Sequence, residues 1–413
     1  MLGFMQSWFA AKANPIGVDF GSDCLRLAQV QMVDKEHRLI AAASADVPSH
    51  VRNDPVQRLQ FFVDTTRDLL AQGKFRRREA ILALPISSMF IQHLRMPKMD
   101  DEETRKALPW EARGKLPVDP NALILRHVIA GEVYQDSEAK HEVVVMAAAK
   151  ELVNQLLSAA SRAKLDIIGM NVEPKAMVDC FQHIYRRKSD ATATSCFVDI
   201  GSSASRAIIA RGGKMLFARI IPIGGSHFNR AVASALRLSV EEAKLLRIQM
   251  GAKTAELEDP QAKRDLSETI VHAEDNSFAL LPADEHRSDD LAVAARKQTH
   301  PQMEHVEQAC REPLSRLVEE LDMCRRYYEG TFPNSPIDRL IFVGGEARQR
   351  VLCQTIAQEL SLAAQIGDPL VRMGRVSEIG FESGIDRRQP QPGWAVAIGL
   401  SMGPATETEA GGK

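Results

Sequence analysis

Short apolar runs broken by Gly, Ser and Asp alternate along the chain with stretches of helical spacing. Residues 16–20 form an apolar run that reaches Gly21-Ser22, residues 25–31 leave that turn as a second strand, and residues 38–45 read as a third. Val56, Leu59, Phe62, Val63, Thr66 and Leu70 then recur at three- and four-residue intervals, an amphipathic helix entered through Pro55. Residues 80–84 are a buried strand stopped by Pro85. The order so far is three strands, a helix and a strand. The same order of strands begins again at residue 196: strands 196–200 and 206–210 flank a Gly201-Ser202-Ser203 turn, and Gly212-Gly213 reverses the chain into strand 214–221.

Between these two meanders the pattern changes. Residues 89–95 read as a strand, Asp101 as the cap of a helix with Glu102 and Glu103 in its first turn, and Pro109 as a kink within it. Strands 123–130 and 142–148 and a helix over 150–163 complete a self-contained block. Residues 165–173 return as a strand, Pro174 opens a helix through His183, and residues 186–194 are a polar hinge. After Gly224-Gly225, Ser226 is positioned to cap a helix carrying Phe228, Ala231, Val232 and Ala235 on one face, and Ser239 with Glu242 forms a capping box for the next. Residues 251–302 are polar and aperiodic, and are expected to be a largely disordered insertion. His272, His286, His300 and His305 lie in or beside it without ligand spacing. A long helix over 303–328, an apolar strand ending at Gly344-Gly345, a helix over 351–360 and a closing helix over 395–400 follow. The expected boundaries are 14–85, an insert at 86–164, a return at 165–190, and a second lobe at 195–403.

Composition narrows the function classes. At 413 residues and 45% hydrophobic, the chain can bury one large core or two modest ones. A formal net charge of −2 argues against a nucleic-acid partner. Six cysteines without a C-x-x-C pair suit a reducing compartment and argue against structural zinc. No apolar run approaches the roughly 18 residues needed to span a bilayer, and the first residues, MLGFMQSWFAAK, lack a signal-peptide pattern. The expectation is a cytosolic protein.

The chemistry lies in three turns. Asp199 stands near the end of its strand, just before Gly201-Ser202-Ser203. Small residues there let backbone N–H groups point into one concavity that suits a phosphate, and the Asp can hold Mg²⁺ through retained waters. Alone this is equally a β-hairpin with a polar tip. Asp19-x-Gly21-Ser22 is a second copy, and Gly344-Gly345, with Glu346 beside it, ends an apolar strand where a ligand can approach the backbone.

The three turns, in this order, resemble the two phosphate motifs and the adenosine motif of the actin-like ATPase superfamily. The segments MPKMDDEETRKALPWEARGKLPVD, VDIGSSASRAIIARGGKMLFARIIPIGG, IDRLIFVGGEA and AVAIGLSM resemble the type IV pilus assembly protein PilM family. Pro109 departs from that family, which places a helix former there. The resemblance implies an α/β actin-like ATPase fold, two ribonuclease H-like lobes around a nucleotide cleft, with an inserted α+β subdomain 1C. It implies ATP and Mg as cofactors, with Asp19 and Asp199 on the metal side. Gly21, Ser22, Gly201, Ser202 and Ser203 are implied at the phosphates, and Gly344, Gly345 and Glu346 in the adenosine pocket. Arg26 stands where relatives place a basic residue, though it is also readable as an exposed strand cation. Asp23 is an acid in a phosphate turn and would repel ATP unless turned aside. Glu173 resembles a water-orienting acid, and equally a helix-initiating one. Glu241 and Lys244 resemble ribose and base contacts, or a surface ion pair. The implied role is a cytoplasmic ATP-binding scaffold with weak or no hydrolysis, peripheral to the inner membrane through the cytoplasmic N-terminus of a PilN-like protein, self-association being the alternative use of the insert. An FtsA-like division protein and a small-molecule kinase are the competing classes. The former usually ends in an amphipathic helix, unlike the tail from Pro404; the latter needs a base that only Glu173 offers.

Overall fold

Strands that are apolar on both faces set the architecture. The computed structural model describes residues 13–34, 36–184, 188–258, 301–375 and 381–403. The N-terminal twelve residues, most of the polar stretch with His272, His286 and His300, and the tail from Pro404 lie outside them. The chain divides into two compact units. One takes Met1–Ala193, Ile208–Arg219 and Gly367–Lys413; the other takes Thr194–Ala207 and Ile220–Ile366.

The first sheet is built from β1 (Ile16–Phe20), β2 (Cys24–Val33), β3 (Glu36–Asp46) and, after helix α1 (Pro55–Gln72), β4 (Glu79–Leu84). The inserted block supplies β5 (Met89–Pro97), α2 (Asp101–Glu111), β6 (Leu123–Gln135), β7 (Glu138–Ala149) and α3 (Lys150–Arg162). The chain returns through β8 (Asp166–Val172), α4 (Glu173–Gln182) and the short α5 (Lys188–Thr192). The second meander is β9 (Thr194–Ile200), β10 (Ser205–Arg211) and β11 (Lys214–Ile221), followed by α6 (Gly225–Leu236), α7 (Val240–Glu258), α8 (Pro301–Thr331), β12 (Arg339–Val343), α9 (Arg350–Leu360) and β13 (Ala364–Ile366). Strands β14 (Gly374–Arg375) and β15 (Phe381–Glu382) and helix α10 (Ala395–Met402) close the chain.

The seven-stranded sheet runs β14-β3-β2-β1-β4-β8, with β15 also on β3, and the five-stranded sheet runs β11-β10-β9-β12-β13. The orders β3-β2-β1-β4-β8 and β11-β10-β9-β12-β13 correspond strand for strand. In the first sheet β1 pairs antiparallel to β2 and parallel to β4. In the second, β12 lies parallel to both β9 and β13. The middle strands β1 and β9 are buried along their whole length, as befits strands covered on both faces. Each fully buried Leu, Ile or Phe in these layers contributes roughly 1.5–3 kcal/mol.

Helix α10 is apolar all round and packs on β1, β2, β4 and α4. Two glycines permit the approach: a Cβ on Gly17 would lie 1.9 Å from the Ala397 carbonyl oxygen, and one on Gly399 would lie 1.9 Å from that of Ala176. Ser401 ties the helix down, its Oγ donating to Pro15 O at 2.7 Å and accepting from Val30 N at 2.9 Å.

The insert forms a three-stranded antiparallel sheet, β5-β7-β6, with Leu94, Met96, Leu108, Val143, Val145 and Ala147 in its core. Several sequence expectations are corrected here. Asp100, not Asp101, caps α2, in a reciprocal box with Glu103. Pro109 falls in the last turn, where its missing N–H removes one bond near an end that is already closing. Strands β6 and β7 continue as a ribbon over residues 131–141, turned at Asp136 and Ser137 with φ of 52° and 66°, the two-residue hairpin geometry with both centres left-handed. Its polar sequence, with Tyr134 exposed, concealed it. Helix α3 packs on α1 and β8 as well as on β7, so it joins the insert to the seven-stranded sheet. Gly224, not Ser226, precedes α6. Helices α7 and α8 extend into the polar stretch to Glu258 and from Pro301, so it does not begin at residue 251. Most of the expected hinge at 186–194 is occupied by α5 and the start of β9.

Candidate functional site

The first turn is a tight hairpin in which Gly21 N donates to Cys24 O at 3.0 Å. Asp19, 6% exposed, faces Arg26 across the β1–β2 ladder, with Arg26 Nη1 3.8 Å from Asp19 Oδ2. The Arg26 guanidinium also covers the turn before α10, where a Cβ on Gly393 would come within 3.2 Å of its Nη2. Helix α1 sends Arg58 to the turn from outside. Its Nη1 and Nη2 donate to Ser22 O and Gly21 O, each at 3.1 Å, and it lies 4.6 Å above the Phe20 ring. Burial pulls Arg58 below the usual arginine range, with the nearby Asp23 acting against that. Asp23, the acid out of place in a phosphate turn, is paired with Arg52, whose Nε lies 3.4 Å from its Oδ1. The surrounding arginines thus offset its repulsion. Glu173 is buried as the first residue of α4, where the helix N-terminus favours a carboxylate.

The second turn repeats the first, with Gly201 N donating to Ala204 O at 3.1 Å. Asp199 is 4% exposed, and Arg206 Nη1 pairs with its Oδ2. Gly224 and Gly225 then bring α6 onto the turn. Gly225 N donates to Gly201 O at 2.9 Å and Ser226 N to Ser202 O at 2.8 Å. A Cβ on Gly224 would stand 2.6 Å from both of those carbonyl oxygens. Gly224 N donates to His227 Nδ1 at 3.1 Å. Burial, then the neighbouring Arg230, push His227 below its usual value.

The third turn packs against the second. Gly344 has φ +87°, and a Cβ there would lie 2.2 Å from Asp199 Oδ1, whereas a Cβ on Gly345 would meet nothing within 4 Å. Glu346 Oε2 accepts from Arg247 Nη2 at 2.7 Å. Arg247, 7% exposed, also donates to Asn229 Oδ1 at 2.6 Å and Gly225 O at 3.3 Å and lies 5.1 Å above the Phe228 ring. Glu346 therefore joins the turn to α6 and α7. On α7, Lys244 is half-buried one turn before Arg247, and Glu241 is exposed.

Within the second unit, then, the fold gathers Asp199, Gly201, Ser202, Gly344 and Glu346. Within the first it gathers Asp19, Gly21, Ser22 and Arg26. The sequence reading missed Arg58, Arg206, Asn229, His227 and Arg247. Lys244 at three residues' distance was the available signal for Arg247. The remaining chemistry is sparse: burial pushes the thiols of Cys180, Cys196 and Cys353 far up, which leaves them poor nucleophiles. The donor set at each turn, hydroxyls with a guanidinium beside small residues, fits oxyanions of a polyphosphate. For magnesium the two carboxylates differ, since Arg26 stands 3.8 Å from Asp19 whereas Arg206 is drawn in against Asp199 Oδ2. Among the described residues no helix is long and apolar enough to cross a membrane.

Comparison with known proteins gives concordant results. A family model described as Type IV pilus assembly protein PilM matches residues 17–255, and one for Cell division protein FtsA matches residues 196–399. Cell division protein FtsA of Bacillus subtilis (strain 168) is 24% identical over 110 residues, 27% of this chain and 24% of that protein. The chain thus spans about a quarter of the length of that curated relative. Among solved structures, a PilM-PilN type IV pilus biogenesis complex superposes with a TM-score of 0.68 at 20% identity, covering 94% of this chain and 98% of the other. Ethanolamine utilization protein EutJ from Carboxydothermus hydrogenoformans gives a TM-score of 0.48 at 12% identity, covering 95% and 90%. The fold is that of the actin-like ATPases.

Proposed function

The chain belongs to the type IV pilus assembly protein PilM family, and from that premise we propose that it is an ATP-binding scaffold of a type IV pilus, or of a related secretion or competence platform. Its partner is the cytoplasmic N-terminus of a PilN-like inner-membrane protein, which makes it cytoplasmic and peripheral to that membrane. The solved complex of similar fold pairs a PilM with a PilN, which supports this choice of partner. The observation that carries the nucleotide reading is the repeated hairpin, in which an Asp, a Gly-Ser turn and an Arg recur in each unit with the same Gly N–H to carbonyl bond.

Proteins of the actin-like ATPase fold generally bind ATP with magnesium. In this chain Ser22 and Arg26 at the first turn, and Ser202 and Ser203 at the second, hold phosphate oxygens. Gly345 leaves room for the adenosine, with Glu241 and Lys244 on α7 toward the ribose and base. Glu346 holds the pocket's wall through Arg247. Magnesium, when bound, neutralises phosphate charge, and Asp19 is the carboxylate best placed to orient its waters. Asp199 serves it only by releasing Arg206. Glu173 is the acid available to orient water, so hydrolysis is slow or absent.

Calorimetry with ATP tests this. Asp19→Ala should weaken binding by about tenfold, in magnesium and in EDTA alike, because it removes the carboxylate that faces Arg26 across the ladder and so releases that arginine from the turn. Unchanged affinity in that variant would remove Asp19 from the site.

A further inference from the structure

The two hairpins share more than the turn. Asp19-x-Gly21-Ser22-x-x-x-Arg26 and Asp199-x-Gly201-Ser202-x-x-x-Arg206 are one pattern with one spacing. The arginines sit differently. Arg26 stands 3.8 Å from Asp19 with its side chain 22% exposed. Arg206 is drawn in against Asp199, its side chain 11% and the carboxylate 5% exposed. Its Nη1 also lies 3.4 Å from where a Cβ on Gly201 would stand, so the guanidinium lies against the turn itself. The second carboxylate oxygen, Oδ1, is backed by Gly344. One oxygen of Asp199 is thus held by Arg206, and the carboxylate as a whole is nearly closed to solvent. A hydrated divalent cation needs a carboxylate oxygen that its water shell can reach. To reach this one it must displace a guanidinium that never loses its charge.

We propose that Arg206 does at the second turn what a divalent cation would otherwise do: it neutralises Asp199 and presents positive charge to the phosphates, so that ATP binds this chain with little dependence on magnesium. The inference rests on the reading of this turn as a phosphate site. The planar fork of an arginine carries donors on two edges, so one side chain can hold a carboxylate and a phosphate oxygen together, which an ammonium point charge does less well.

The test is equilibrium binding of ATP to the full chain in excess magnesium and in EDTA. Wild-type affinities should agree within about threefold, less than one charge-assisted contact is worth. Arg206→Ala leaves a bare carboxylate at the turn; in EDTA it should bind at least about tenfold more weakly and recover when magnesium is added. Arg206→Ala combined with Asp199→Asn removes both charges and should regain most of the affinity lost in EDTA, which a folding defect would not allow. Wild-type binding seen only with magnesium overturns the inference and leaves the nucleotide site standing, and so does an Arg206→Ala variant indifferent to EDTA. Binding absent under both conditions overturns the nucleotide site and the inference together.

Discussion

His227 shows how much of the second turn is held by residues that carry no motif. Its Nδ1 accepts the Gly224 N–H, and that glycine lets α6 reach the Gly201 and Ser202 carbonyls. The folded protein lowers the His227 value, chiefly by burial. Stability tied to the neutral ring is therefore present above the unfolded value and lost as pH falls through the lowered folded one. Acidification below about pH 6 should cost wild-type thermal stability, whereas His227→Asn, which keeps an acceptor without titrating, should show a shallower loss. Parallel melting curves across that range decide it, and equal slopes would remove His227 from the cap. Asp19, Gly21, Asp199, Gly201 and Gly344 were legible because strand, acid and small-residue turn are consecutive in the chain. Arg247 was not, since its carboxylate partner lies 99 residues away and α7 taken alone reads as a solvated helix. Arg206 was overlooked although it sits at the same spacing from Asp199 as Arg26 does from Asp19.

Among elements, α10 was legible as an apolar helix, but its packing was not. Apolarity all round says only that a helix is buried; the glycines that admit it are on β1 and on the helix itself. Helix propensity alone favours Ala over Gly by about 1 kcal/mol. Here the Ala176 carbonyl stands where the new methyl would go. Gly399→Ala should therefore destabilise by about 1–3 kcal/mol or more in urea unfolding; a gain in stability would show that the two helices can separate at no cost. Caps follow the same logic. Asp100 and Asp101 are chemically equal as caps, and the choice falls to the one whose carboxylate meets Glu103 N while the Glu103 side chain returns to its own N–H. The β6–β7 ribbon escaped because its outer residues face solvent and lose the alternation that marks a half-buried strand.

At the scale of the molecule, the paired strand orders were visible as a repeated meander, while the parallel additions of β8 and β12 depended on helices whose ends the sequence places less sharply. The insert supplies the last prediction. Met89 pairs with Ala148 and Leu123 with Ala149, so the block's two ends are adjacent and a short linker can replace residues 89–149 without disturbing α3. That deletion should abolish co-purification with the N-terminal peptide of the PilN-like partner while the remaining chain still melts cooperatively; capture of the peptide by the deleted form would place the partner site elsewhere. The seating of α10 has one more consequence, in the order of synthesis. Strands β1, β2 and β4 and helix α4 are made before the second unit's elements, and the helix that packs on all of them is made after those elements. The second unit's strands and helices are complete before the first unit can close. A nascent chain must therefore keep the inner face of its first sheet covered, by a chaperone or by loose collapse, until residues 395–402 emerge.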